Sequence, residues 1–193
     1  MLGLKLPTDP RWVDIVAKNV DEILTDHAFC EQKAASTAIS IIVSFPEYPD
    51  LVNEMIALAR EEMGHFKMVH DRIIARGKTL GKYRKDEYVI ELMKFFPKGG
   101  SRTEQLVHRL LYAALIEARS CERFRLLSEE LHDQELARFY HQLMISEAGH
   151  YTLFLNFARS FMDREVVDEK WQALLTYEAE IMKGLGNRET IHG

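Results

Sequence analysis

The chain has 193 residues, of which 47% are hydrophobic, enough for one sizeable core, and nothing in it suggests a second globular unit. Its formal net charge of -5, taken alone, argues mildly against a nucleic-acid partner, because an acidic surface repels phosphates. Two cysteines, Cys30 and Cys121, are too few for a disulfide framework and form no redox or metal motif, so a reduced, cytoplasmic setting is expected. The N-terminal Met-Leu-Gly-Leu-Lys-Leu-Pro turns polar too soon for a signal peptide, and no window approaches the about 18 apolar residues of a membrane span, so no membrane partner is expected.

Apolar positions recur mainly at three- and four-residue steps, the helical period. Asp9 and Pro10 read as an N-cap and a first-turn proline for a helix from Arg11 to about Ser44, which Pro46 and Pro49 stop. Asp50 can cap a second helix that reaches about Arg76, where Gly77 suits the left-handed residue that ends helices. A connection of about 25 residues follows, with Gly81, a short helical stretch from Asp86 to Phe96, and the break Pro97-Lys98-Gly99-Gly100. Ser101 and Glu104 make a capping box for a third helix to about Glu130. After a turn at His132 and Asp133 a fourth helix runs to about Phe161, and Glu165 to Lys183 makes a fifth. Two helical hairpins joined by one long crossover give an all-α, ferritin-like four-helix bundle with an extra C-terminal helix, expected as a single domain over residues 1–193 with its core at about 11–161.

Two segments share a pattern, EEMGHF at 61–66 and SEAGHY at 146–151. Glu and His three apart on a helix point the same way, so each segment offers a carboxylate and an imidazole to one ion. A third Glu-x-x-His, Glu129 to His132, lacks the glycine, falls at a helix end and reads as a solvated pair. Each motif needs one more carboxylate at the same height on the preceding helix. Glu31 and Glu62 both lie roughly 18 to 20 Å from their connecting turn at 1.5 Å rise per residue, and Glu117 and Glu147 repeat the arrangement about the turn near His132. These glutamates sit in apolar, small-residue stretches, where an unpaired carboxylate is costly and a metal ion compensates it. The candidate ligands are therefore Glu31, Glu62, His65, Glu117, Glu147 and His150, a hard carboxylate and imidazole set that suits iron or manganese, with open positions for dioxygen or peroxide.

Around them, Glu61 and Ser146 lie one turn before the two histidines, as outer partners or solvent-facing residues. His27, one turn before Glu31, and Cys121, one turn after Glu117, line a substrate pocket or are plain core. Phe29, Phe66, Tyr151 and Phe154 are candidate pocket walls on the same terms.

Longer strings carry something more specific: LPTDPRW at 6–12, ILTDHAFCEQKAAS at 23–36, LAREEMGHF at 58–66, KGGSR at 98–102, IEARSCERF at 116–124 and ISEAGHY at 145–151. In these strings the chain resembles the bacterial tRNA hydroxylases that act on methylthiolated, isopentenylated adenosine, over most of its length and less so after about residue 161. The resemblance implies a non-haem di-iron monooxygenase that hydroxylates the isopentenyl side chain of the modified adenosine next to the tRNA anticodon. It implies two iron ions, dioxygen as co-substrate, and the same six ligands that spacing selects. Electrons are expected from an external reductase or ferredoxin, because the chain has no flavin, haem or iron-sulfur motif.

The resemblance also gives a use to the segment from Lys67 to Arg102, where ten Lys and Arg stand against four acids, +6 in a chain whose remainder carries -11. Arg72, Arg76, Lys78, Lys82, Arg84 and Lys85 surround the crossover and are candidate contacts for anticodon-arm phosphates. Competing readings are a ferroxidase or iron-handling protein, a peroxide-consuming dimetal enzyme, and a metal-free helical interaction module.

Overall fold

A computed structural model describes residues 2–185 and 190–192, so the end residues of the expected 1–193 domain lie outside the described ones. Among the described residues there is no strand. The helices are α1 (Trp12–Lys18), α2 (Val20–Ser44), α3 (Pro49–Ala75), α4 (Glu87–Leu92), α5 (Arg102–Glu130), α6 (Gln134–Phe161) and α7 (Arg164–Leu185), with a 3₁₀ turn at Met93–Phe95 after α4. This order is that of a ferritin-like four-helix bundle, with hairpins α2–α3 and α5–α6, a long crossover and one added C-terminal helix. Two compact units are distinguished, residues 15–85 with 190–191, and residues 2–14, 86–185 and 192.

The first unit is the α2–α3 hairpin with its outgoing crossover. The helix expected from Arg11 is in fact two, because Asn19 leaves the helical region (φ -134°, ψ 45°) and its carbonyl starts α2 by accepting from the Glu22 and Ile23 N–H groups. Asp50 does not cap α3 as expected: Pro49 opens the helix from its first turn, where a missing N–H costs nothing, and Asp50 becomes a first-turn acid favoured by the helix dipole. Gly77 ends α3 at φ +72°, with the Lys78 and Gly77 N–H groups donating to the Ile73 and Ile74 carbonyls, as the sequence predicts. The crossover then runs beside α2. Gly81 passes so close that an added Cβ would stand 2.8 Å from Thr25 Cγ2, and Tyr83 packs edge-on against Phe29 with Lys33 5.1 Å over its ring. Farther along the chain, the Ile191 N–H donates to Asp26 at 2.7 Å.

In the second unit, α5 is buried on most of its circumference and packs against α6, while α4 lies on α7. Ser101 and Glu104 form the expected capping box, and their mutual hydrogen bonds hold the Glu104 carboxyl below its usual range. Asp133 caps α6 by accepting from the Glu135 and Leu136 N–H groups.

The principal polar feature of this unit is fully buried. Arg119 donates to both Glu178 and Glu122, at 2.5 and 3.0 Å, and to the Leu6 carbonyl at 3.0 Å. Glu122 also accepts from the Thr8 N–H and hydroxyl, and Arg123 stacks on the Trp12 ring at 4.5 Å. Tyr88 completes the set by donating to Glu178. The N-terminal segment, α4 and α7 are thus fastened to α5 by charge-assisted hydrogen bonds. Burial pushes the Glu178 carboxyl up, and the Arg119 charge opposes that shift. Replacing Arg119 by Ala should cost about 3 to 5 kcal/mol, because two buried carboxylates lose their guanidinium; urea unfolding measures this, and a loss under about 1 kcal/mol would show the network to be dispensable.

Candidate metal centre

The α2–α3 unit brings Glu31, Glu62 and His65 together, as spacing predicts. One ligand atom from each lies within 4.8 Å of the others, and all three side chains are buried. His65 Nδ1 stands 3.3 Å from Glu62 Oε2 and 3.6 Å from Glu31 Oε2. Burial pulls the His65 imidazole down, but hydrogen bonds and charge from the two carboxylates outweigh it and hold the ring up at about 10. The two carboxylates thus favour a positive charge beside them.

The α5–α6 unit repeats the arrangement with Glu117, Glu147 and His150, again within 4.8 Å of one another and buried. Here His150 Nδ1 stands 3.8 Å from Glu147 Oε2. Each hairpin thus offers two carboxylates and one imidazole, a set that fits iron or manganese and lacks the thiolate that a thiolate-loving ion takes. The third Glu-x-x-His does not join them. Helix α5 stops at Glu130, before His132, and Glu129 pairs with Arg125 at 2.6 Å.

The outer candidates separate by helix face. His27, fully buried, is placed with Nε2 2.6 Å from Glu31 Oε1, in direct contact with one of the ligand candidates. Phe154 lies one turn beyond His150 and is buried, and Cys121 lies one turn beyond Glu117 with its thiol donating to the Met144 carbonyl. Phe29 packs edge-on against Tyr83, Phe66 stacks on His70, and Tyr151 packs on Trp171 at 5.9 Å. Glu61 Oε1 is 3.8 Å from His65 Nε2, beyond hydrogen-bond reach, and Ser146 is half-buried.

Of the basic candidates, Arg76 and Lys78 pair with Asp21 at 2.6 and 3.3 Å, Arg84 pairs with Glu22 at 3.4 Å, and Arg72 donates to the Met68 carbonyl. Lys82 and Lys85 are exposed and flank Tyr83, itself 56% exposed.

Sequence reasoning missed the Arg119 network, whose only signal is charge inside an apolar stretch, and His192, which donates to Asp86 and accepts from Ser120. Burial, with the Glu147 charge adding to it, pushes the Cys121 thiol up to about 11. The thiolate is the reactive form, so native protein should resist iodoacetamide at pH 8 at this position and react once unfolded. Native alkylation of Cys121 at that pH would show the thiol to be exposed and ionised.

Comparison with known proteins agrees across nearly the whole chain. A family model described as tRNA-(MS[2]IO[6]A)-hydroxylase (MiaE) matches residues 2–193. A tRNA 2-(methylsulfanyl)-N(6)-isopentenyladenosine(37) hydroxylase of Pseudomonas putida is 37% identical over 93% of this chain and 86% of its own. The protein of the same name from Salmonella typhimurium is 28% identical over 84% of this chain and 77% of its own. Among solved structures, a Synechococcus protein described as having aldehyde deformylating oxygenase activity superposes with a TM-score of 0.92 at 34% identity, covering 98% of this chain and 95% of that one.

Proposed function

The chain belongs to the tRNA-(MS[2]IO[6]A)-hydroxylase family, and on that premise we propose that it hydroxylates the isopentenyl side chain of the methylthiolated, isopentenylated adenosine next to the tRNA anticodon, using a di-iron centre held by Glu31, Glu62, His65, Glu117, Glu147 and His150. The observation that carries the metal reading is the duplication: each hairpin buries two glutamates and one histidine within 4.8 Å of one another, a donor set that two iron ions would balance. Iron bound there supplies the redox chemistry by which dioxygen, two electrons and two protons turn an allylic methyl C–H into C–OH and release water.

The side chains have the remaining tasks. The four carboxylates neutralise the metal charge, and the two imidazoles fix its position. Phe154 and Cys121, buried one turn beyond the ligands, keep the surroundings dry. Electrons come from a separate reductase or ferredoxin in this reading, and the work is done in the cytoplasm, where tRNA is modified. The two units act as one ferritin-like domain.

For the RNA, the crossover is the favoured surface. Tyr83 offers an exposed ring between Lys82 and Arg84, the combination of stacking and phosphate contact that single-stranded loops are recognised by. Lys82 and Lys85 carry the phosphate contacts, while Arg76, Lys78 and Arg84 are engaged with α2. Reversing both lysines (Lys82→Glu with Lys85→Glu) should raise KM for tRNA about 10-fold or more and flatten its salt dependence by about two units of slope, leaving kcat near wild type. An unchanged salt slope would place the RNA elsewhere.

The direct test is mass spectrometry of nucleosides from tRNA bearing the isopentenylated adenosine, after incubation with iron-loaded protein, a reducing system and labelled dioxygen. One labelled oxygen is expected on that nucleoside. Glu117→Ala should abolish the gain, a loss well beyond the about 10–100-fold typical of an outer partner, with helical circular dichroism retained. Undiminished turnover would remove Glu117 from the site. The 34% identity to the Synechococcus protein supports a second reading, oxygen-dependent deformylation of an aldehyde; formate released from an aldehyde, with tRNA unmodified, would favour it.

A further inference from the structure

We propose that His27 is a positioning residue that ties down one oxygen of Glu31 and leaves the other as its metal-facing donor, an inference that rests on the dimetal reading above. His27 Nε2 is 2.6 Å from Glu31 Oε1, four residues on along α2. A carboxylate only accepts, so Nε2 carries the hydrogen and donates it, which fixes the ring's orientation. The imidazole is fully buried and Glu31 nearly so, leaving no water to compete for that bond. The other oxygen, Oε2, is the one turned toward His65, 3.6 Å from its Nδ1. A side chain with one oxygen tied and one aimed at the cluster gives a single-oxygen ligand, and the loss of its rotamer freedom is met on folding rather than on binding metal.

The second hairpin provides an internal control. Glu31 corresponds to Glu117, Glu62 to Glu147 and His65 to His150 in the duplicated pattern, so His27 corresponds to Ala113. A methyl group offers no donor. The duplication therefore conserves the six ligands but not this hydrogen bond, and the two metal positions are inequivalent: the ion on Glu31 meets a prearranged carboxylate, fixed from one helical turn away.

The test compares His27→Leu, which keeps apolar bulk without a donor, with His27→Gln, which presents an amide N–H at similar reach. Metal-free proteins are first unfolded in urea to compare their stability. They are then titrated with Co(II) under calorimetry and absorption spectroscopy. Wild type should take up two ions, and His27→Leu should bind one of them about 10–100-fold more weakly, with altered ligand-field bands for that ion. Gln should restore both affinity and bands. The inference is overturned if Leu binds both ions with wild-type affinity and spectrum, or if Gln is as impaired as Leu while both variants are as stable as wild type. Wild type that takes up no metal overturns the dimetal reading itself, and this inference with it.

Discussion

An ionised carboxylate withdrawn from water has to be answered by a positive charge or by several donors, and this requirement organises both units. In each hairpin two glutamates and a histidine are buried on helices that are otherwise apolar along the same face. Without compensation such a cluster would cost several kcal/mol per ion, a large fraction of the about 5–15 kcal/mol by which a domain is stable. The helices can carry these residues only because something balances the charge, and in the proposed reading that is a pair of iron ions.

The α5–α6 unit contains both solutions to the problem side by side. Glu122 and Glu178 are answered from within the chain, by Arg119 and by the Thr8 and Tyr88 hydroxyls, in a network that needs no cofactor. Glu117 and Glu147 are grouped instead with His150, whose imidazole is a metal-ligating donor and offers no permanent positive charge. The difference between a structural acid and a ligand acid is thus the identity of the partner, because burial is similar for both.

Much of the fold was legible because its signals are local. A Glu three residues before a His, a Ser three before a Glu, and a glycine after an apolar run each act within one helical turn, and the helix ends at Gly77, Ser101 and Asp133 follow them. The break at Asn19 was hidden because the apolar period continues across it. Asp50 misled because Pro49, which favours the first helical position, moved the start back by two residues. The His27–Glu31 bond spans one turn and is readable in principle, but its alternative as packed core looks identical in sequence. The Arg119 network was beyond reach, since it joins residues 6, 8, 119, 122 and 178, which share no periodicity. The strings LPTDPRW and IEARSCERF, which carried much of the resemblance, supply the two ends of that network as well as Glu117.

Helix α5 is buried on nearly every side, mostly by apolar residues, and the hydrophobic effect that buries them is non-directional and does not by itself fix the height and angle of a helix. One residue of slip displaces every side chain by about 1.5 Å along the axis and turns it by about 100°. Arg119, Glu122 and Arg123 supply what the apolar contacts lack, since their hydrogen bonds are directional and reach partners on the N-terminal segment and on α7. Glu117 lies two residues before Arg119, less than one helical turn from this anchorage. The buried ion pairs therefore act as a key in a shaft, setting the height and angle at which that carboxylate is presented, and the precision of the cluster is owed in part to residues that never touch it.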